Sequence, residues 1–416
     1  MSIFNNSLFT RGISRFCKLY SYELPSVKYC EKSKLLNINN VNKCYFSVNA
    51  VKSPPKSKYP RFLMTLGIGF GVGTIATGLY LYNTYRNINT AILNTATGEE
   101  YFLEKAPVKH TVARSIYNPL DKSGFKITLY QFQTCPFCCK VRTFLDYFGF
   151  SYDIVEVNSV THKQTKWTPY RKVPFIVIEQ EGTQTVMQLK DSSMIISALM
   201  SFINTKDKHL EEIVKGFPTV CFMNEDGKKK TDIMNKYSIF YGERPPGKSD
   251  EEILEEKKWR KWVDDVYVHT LSPNVYRTMN ESFQAFNWFS EAGDWKEHFK
   301  TWERLLVIYV GSLAMYLIGK RLKKRHGLKD DVRSSFYEET NIWLKEVKNR
   351  GGKFFGGDEP NLADLGVYGV LTAVEGCNAF QDLLTNTAIN DWFSDMKTVV
   401  ENHQGEKYLN QRGSNL

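Results

Sequence analysis

The spacing of apolar and polar positions changes character several times along this chain, and each change marks a boundary. From Phe62 to Tyr85 no charged residue interrupts an apolar run bounded by Arg61 and Arg86. Such a run rises about 36 Å as a helix, against a hydrocarbon core of about 30 Å, and so predicts one transmembrane helix. Gly67 with Gly71, and Gly69 with Gly73, form small-xxx-small pairs suited to packing against a partner helix. Residues 86–124 read as a connector that closes with Asn118-Pro119 and Ser123-Gly124.

After the connector, short apolar strands alternate with helical periodicity. A strand over 127–132 is followed by a helix to about Phe148, with Val141, Phe144, Leu145 and Phe148 at helical spacing. Next come a strand over 151–157, a polar helix over 160–168, strands at 175–178 and 185–189, and a helix from Ser192 to Phe202. This β-α-β-α-β-β-α order is that of a thioredoxin-type α/β domain, placed at 125–203, and the right-handed crossover rule constrains its first half. Residues 204–250 are polar and irregular, a linker with one short hairpin. From 251 to 403 helical periodicity dominates, predicting an all-α second domain before a tail at 404–416. In that domain Asn361 and Asp364 read as N-cap and capping-box partner. The apolar stretch Leu305 to Gly319 falls short of the roughly 18 to 20 residues of a membrane span and predicts a buried helix.

The net charge of +10 raises the possibility of a nucleic-acid binder. Its distribution argues against one. Residues 1–61 hold 11 Lys and Arg against Glu23 and Glu31, leaving 44 basic and 43 acidic residues for the rest. The body is nearly neutral, without a phosphate-tracking surface. The N-terminal 61 residues, with Arg11, Arg15 and Lys18 among apolar positions and no acid before Glu23, fit either an amphipathic transit segment or a disordered basic tail. The positive-inside rule places this end on the cytosolic or matrix side. Eight cysteines in a chain of this size do not form a disulfide framework, and the seven scattered histidines give no zinc spacing.

Cys135-Pro136-Phe137-Cys138 lies between the strand and the helix. A helix N-terminus carries unpaired N–H groups and partial positive charge, so it stabilises a thiolate there. Pro136 suits the first helical turn, and Cys138 falls on the same face as Cys135. Tyr130 and Phe137 lie near the thiol, where aromatic packing can dry a site or simply fill the core. Cys139 and His269 read as structural.

The strings Tyr130 to Cys138, Tyr170-Arg171-Lys172-Val173-Pro174, Asp191-Ser192-Ser193, Ser272 to Thr278, Lys320 to Lys323 and Pro360 to Leu365 occur in one order. Over about residues 126–400 the chain resembles the type 2 membrane-associated prostaglandin E synthases, a family of glutathione transferase-like fold. The resemblance implies a homodimeric isomerase that binds glutathione, optionally with haem ligated by a thiolate near Cys135, and converts the lipid endoperoxide prostaglandin H2 to prostaglandin E2. It implies that Cys135, with Cys138, Tyr130 and Phe137 around it, does the chemistry. Val173 and cis-Pro174 would pair with the cysteinyl part of glutathione, Asp191 and Ser192 would hold its γ-glutamyl end, and Arg321 and Arg325 would reach a ligand carboxylate. By their residues alone, the two arginines read as part of a surface basic cluster. The family implies a Golgi membrane, whereas the basic N-terminus fits a mitochondrion. Two other classes stay open: a glutaredoxin-like thiol–disulfide oxidoreductase, and a non-enzymatic haem- or glutathione-binding membrane protein.

Overall fold

A computed structural model describes residues 99–104, 107–180, 182, 184–223, 229–241 and 249–413. The expected membrane helix at 62–85 and the basic segment before it lie outside these residues. Strands β1 (Arg114–Ile116), β2 (Phe125–Gln131), β3 (Tyr152–Glu156), β4 (Phe175–Gln180) and β5 (Val186–Lys190) form one sheet in the order β1-β3-β2-β4-β5. β2 and β3 are parallel, and the other neighbours are antiparallel. The crossover joining β2 to β3 is α1 (Pro136–Tyr147). Val141, Phe144, Leu145 and Phe148, the positions set out by the sequence period, are all buried against the sheet. Gly149 ends this crossover at φ 71°, a left-handed turn, and a Cβ there would come within 2.6 Å of the Asn118 amide. α2 (Ser192–Asn204) follows β5.

Four stretches differ from the sequence expectation. Residues 160–168 hold only a 3-10 turn, Lys163–Thr165, because their polar side chains offer no apolar stripe for a helix to bury. The connector contributes β1 and a turn whose Tyr101 is fully buried, its hydroxyl donating to the Phe217 carbonyl at 2.6 Å. The 204–250 linker contains the expected hairpin, β6 (Thr219–Met223) with β7 (Lys229–Ile233), and also α3 (Leu210–Val214), which buries Leu210, Ile213 and Val214. The expected tail after 403 contains a helix, Glu406–Gly413. Its Arg412 donates to the carbonyls of Phe202 and Lys208, each at 2.6 Å, and lies over the Phe202 ring.

The second half is all helical. A continuous helix runs through α4 (Asp250–Trp262), a π segment (Val263–Tyr267) and α5 (Val268–Val275). There follow α6 (Met279–Ala292), α7 (Trp295–His298), a long helix formed by α8 (Thr301–Leu306), a π segment (Val307–Gly311) and α9 (Ser312–Arg325), then α10 (Val332–Asn349). α11 (Leu362–Thr372), α12 (Asn378–Asn386), α13 (Ile389–Glu401) and α14 (Glu406–Gly413) complete it. α11 starts with the expected capping box between Asn361 and Asp364. It packs along α1 so closely that a Cβ on Gly369 would lie 2.7 Å from the Lys140 Cα. The helix through 305–319 is not buried on all sides: Met315 is fully buried, but Leu305, Leu313 and Leu317 are exposed.

Candidate active site

Cys135 is the N-cap of α1, in extended backbone, with Pro136 at the first helical position. It is partly exposed, whereas Cys138, one turn in, is fully buried. The two thiols share a proton unequally. The hydrogen bond from Cys138, then the backbone N–H groups of Cys138 and Phe137, and the Arg142 charge hold Cys135 below the ordinary thiol range, against its burial. Burial, and the proximity of a Cys135 thiolate, push Cys138 well above that range. Within the pair Cys135 is the more acidic thiol, and Cys138 is the one that keeps its proton and donates. Since Cys138 is the largest of the groups lowering Cys135, Cys138→Ala should slow iodoacetamide alkylation of Cys135 at neutral pH by up to about tenfold. An alkylation pH profile that is unchanged in the variant would show that the helix terminus alone suffices.

Around the pair the sheet supplies an apolar floor. Tyr130, 2 % exposed, stacks on Phe175 at 4.4 Å and meets Trp167 at 6.0 Å. It belongs to the same small cluster as Cys138 and Val173, against which Cys135 packs. Burial raises its phenol to about 12, so it stays neutral. Phe137 points the other way, toward the larger helical core. Val173–Pro174 is a cis peptide bond, as the position required, and no hydrogen bond engages the Val173 backbone among the described residues. Asp191 caps α2, its Oδ1 accepting from Ser193 N (2.9 Å) and Met194 N (3.3 Å), and it holds φ 70° to do so. For a non-glycine residue that conformation is strained. Ser192 is buried beside it. Burial raises the Asp191 carboxyl, although the Lys236 charge draws it down.

A small cleft opens along the segment leading into Cys135, between Phe132, Gln133 and Thr134 on one side and Phe286, Phe289 and Trp295 on the other. The segment is held from behind by polar side chains. Gln131 Nε2 donates to Glu156 Oε1 (2.6 Å) and Gln133 Oε1 (2.9 Å), while Arg142 donates to the Gln133 carbonyl (2.7 Å) and to the Cys139 sulfur (3.0 Å). Cys139 is buried and its thiol is raised by burial, which makes it a structural thiol.

Residues 129–201 match the family described as glutathione S-transferase, N-terminal domain. Over 295 residues the chain is 44 % identical to prostaglandin E synthase 2 of Mus musculus, covering 70 % of this chain and 74 % of that protein. Identity to prostaglandin E synthase 2 of Danio rerio is 42 % over 304 residues, covering 71 % and 77 %. The chain belongs to the prostaglandin E synthase 2 family. Among solved structures, glutathione transferase F7 from Populus trichocarpa aligns with 67 % of this chain and 99 % of its own length, at 15 % identity and a TM-score of 0.37.

In this member of the prostaglandin E synthase 2 family the fold brings Cys135, Cys138, Tyr130 and Val173 together. Asp191 is linked to them through Tyr170, whose ring packs on the same cluster and whose phenol feels Asp191 and both cysteines. Arg321 and Arg325 are exposed on the last turns of α9. Arg325 lies near His269, whose ring stacks on His326 at 4.1 Å. Burial, foremost, and then His326 lower the His269 imidazole to about 4, so it is neutral and structural.

Two groups of residues have roles that the sequence did not assign. Tyr170 is one: it stands in a string that carries the resemblance, but nothing in the sequence gave it a place between Asp191 and the cysteines. The other is a buried cluster beneath the site. Lys140 pairs with Asp264 of the π segment and donates to Ser193 Oγ at 3.2 Å; Ser193 Oγ and Tyr237 donate to Asp264 Oδ2 at 2.5 and 3.0 Å. A lysine in mid-helix looks like a surface residue until the facing helix is known.

Proposed function

We propose that this chain isomerises prostaglandin H2 to prostaglandin E2 at Cys135, with glutathione bound alongside. One observation supports this above the others: a partly exposed sulfur at a helix N-terminus, its thiol lowered by a buried neighbouring thiol, with an aromatic-lined cleft along the segment that leads into it. The Cys135 thiolate attacks one endoperoxide oxygen, forming S–O as O–O breaks, and the released alkoxide takes up a proton. Loss of the proton on the ring carbon bearing the sulfur-bound oxygen then forms the ketone. The S–O electron pair returns to sulfur, so the enzyme is regenerated without an external oxidant.

The residues fit glutathione. The free Val173 backbone beside cis-Pro174 can pair with an extended peptide, and the start of α2 offers the Ser192 N–H and the Asp191 carboxylate to the ends of a zwitterionic γ-glutamyl unit. When bound, glutathione would supply a second thiol next to Cys135. Haem fits the described pocket poorly: no basic side chain lines it to meet two propionates, and Glu156 does line it. The family reading also carries an anchor through 62–85 and a homodimer.

The full chain, purified in detergent and offered prostaglandin H2 with and without glutathione, should yield prostaglandin E2 faster than spontaneous decay. A product mixture identical to that of the buffer control would overturn the assignment.

A further inference from the structure

The long helix Thr301–Arg325 is long and apolar enough to cross a membrane, yet it is packed into the helical half along one side only. Val307, Ile308, Met315 and Leu322 are buried on that side. The other side exposes Trp302 by 59 %, Leu305 by 41 %, Leu306 by 38 %, Tyr309 by 59 %, Leu313 by 49 % and Leu317 by 58 %. At three- and four-residue spacing these six form one continuous stripe. Six large apolar side chains in a row on water are far more than the isolated exposed residues of an ordinary surface, and such patches mark docking sites.

The residues beyond the stripe identify its partner. The same spacing continues into Lys320 and Lys324, both exposed, with Arg321 beside them, and none of the three has a carboxylate partner among the described residues. Lys320 lies over the Tyr316 ring at 4.4 Å, which keeps its charge at the edge of the apolar surface. An apolar face carrying Trp and Tyr, continued by cations without carboxylate partners, matches the layering of a bilayer interface with acyl chains beneath anionic phosphates. A second copy of the chain is a poorer match. Laid parallel, it would set cation against cation. Laid antiparallel, it would set the cations over residues 294–304, where Lys296, Lys300 and Arg304 balance Asp294, Glu297 and Glu303 and leave no surplus carboxylate.

We propose that the exposed face of Thr301–Arg325 docks the folded body on an anionic lipid surface. The stretch from Trp302 to Leu317 lies at the headgroup–acyl boundary, and Lys320 and Lys324 lie among the phosphates. The contact is separate from any anchor at 62–85, and the side chains it places in the lipid, Trp302 to Leu317 with Lys320 and Lys324, are not among the candidate site residues. It holds the body against the lipid, where an apolar substrate is concentrated.

The test uses the full chain in vesicles containing lipids brominated along the acyl chain, with tryptophan emission as the readout. Wild-type emission should be quenched, and Trp302→Phe should remove at least about half of the quenchable signal. Quenching should be stronger with about 30 % phosphatidylserine than with phosphatidylcholine alone, and weaker by about twofold at roughly 0.5 M salt or in the double variant Lys320→Glu, Lys324→Glu. Leu313→Glu with Leu317→Glu should abolish the Trp302 component while circular dichroism stays native. Equal quenching in wild type and Trp302→Phe overturns the proposal. So does a concentration-dependent dimer in lipid-free solution that the Leu313→Glu, Leu317→Glu pair dissociates, because a second copy would then own the face.

Discussion

Replacing Cys135 by Ser should lower the rate of prostaglandin H2 isomerisation by about three orders of magnitude or more, the scale on which removal of a reacting nucleophile is felt. A serine hydroxyl at the same helix start is not ionised at neutral pH, so the N–H groups of Phe137 and Cys138 would have no anion to stabilise. Cys138→Ser should behave differently. Its hydroxyl can still donate to the Cys135 sulfur, and an isomerisation that uses one thiolate keeps most of its rate, within about tenfold. Reduction of a glutathione mixed disulfide by a dithiol cycle would instead need the second sulfur. Measuring both activities in both variants separates the classes. Full loss of prostaglandin E2 formation in Cys138→Ser would favour dithiol chemistry over the one-thiolate isomerisation.

The second large effect concerns stability. Asp264→Asn should destabilise the protein by about 3–5 kcal/mol, since it leaves Lys140 charged and buried without its counter-ion. The Lys140 and Asp264 side chains are only 5 % and 10 % exposed, so solvent cannot replace the lost partner. The double variant Lys140→Met, Asp264→Leu should recover much of the loss, which urea unfolding followed by tryptophan fluorescence can measure. The pair also fixes a pH dependence. Burial alone would raise the Asp264 carboxyl, but the Lys140 charge and the Ser193 and Tyr237 hydroxyls hold it below the ordinary range. Its contribution is therefore present above the unfolded carboxylate value of about 4 and is lost as the pH falls through the lower folded value. In Asp264→Asn that part of the acid unfolding transition should disappear.

The sequence was legible where a local rule is enough. A strand, a cysteine at a helix start and apolar residues at helical spacing determine β2 and α1 with little outside help, and Asn361 with Asp364 fixes its own helix start. The cis peptide bond at Pro174 was expected from the family resemblance, not from a local rule. The stretches that escaped are those decided by distant partners. Tyr101 in the connector lies among charged residues and declares itself only through Phe217, 116 positions away. Lys140 and Asp264 are 124 apart, and the Gln131, Gln133, Arg142 and Glu156 side chains become a support for Cys135 only after β2, β3 and α1 have come together. The reverse holds at Leu305, Leu313 and Leu317, where apolar composition suggested burial that the packing does not provide.

The seating of α14 has a consequence for how the protein is made. The carbonyls of Phe202 and Lys208, at the end of the half that is synthesised first, receive their guanidinium from Arg412, more than two hundred residues later. A chain emerging from the ribosome can assemble the sheet and α1 early. It cannot close the end of α2 until residue 412 has cleared the exit tunnel, so the first half to be translated is among the last to be finished.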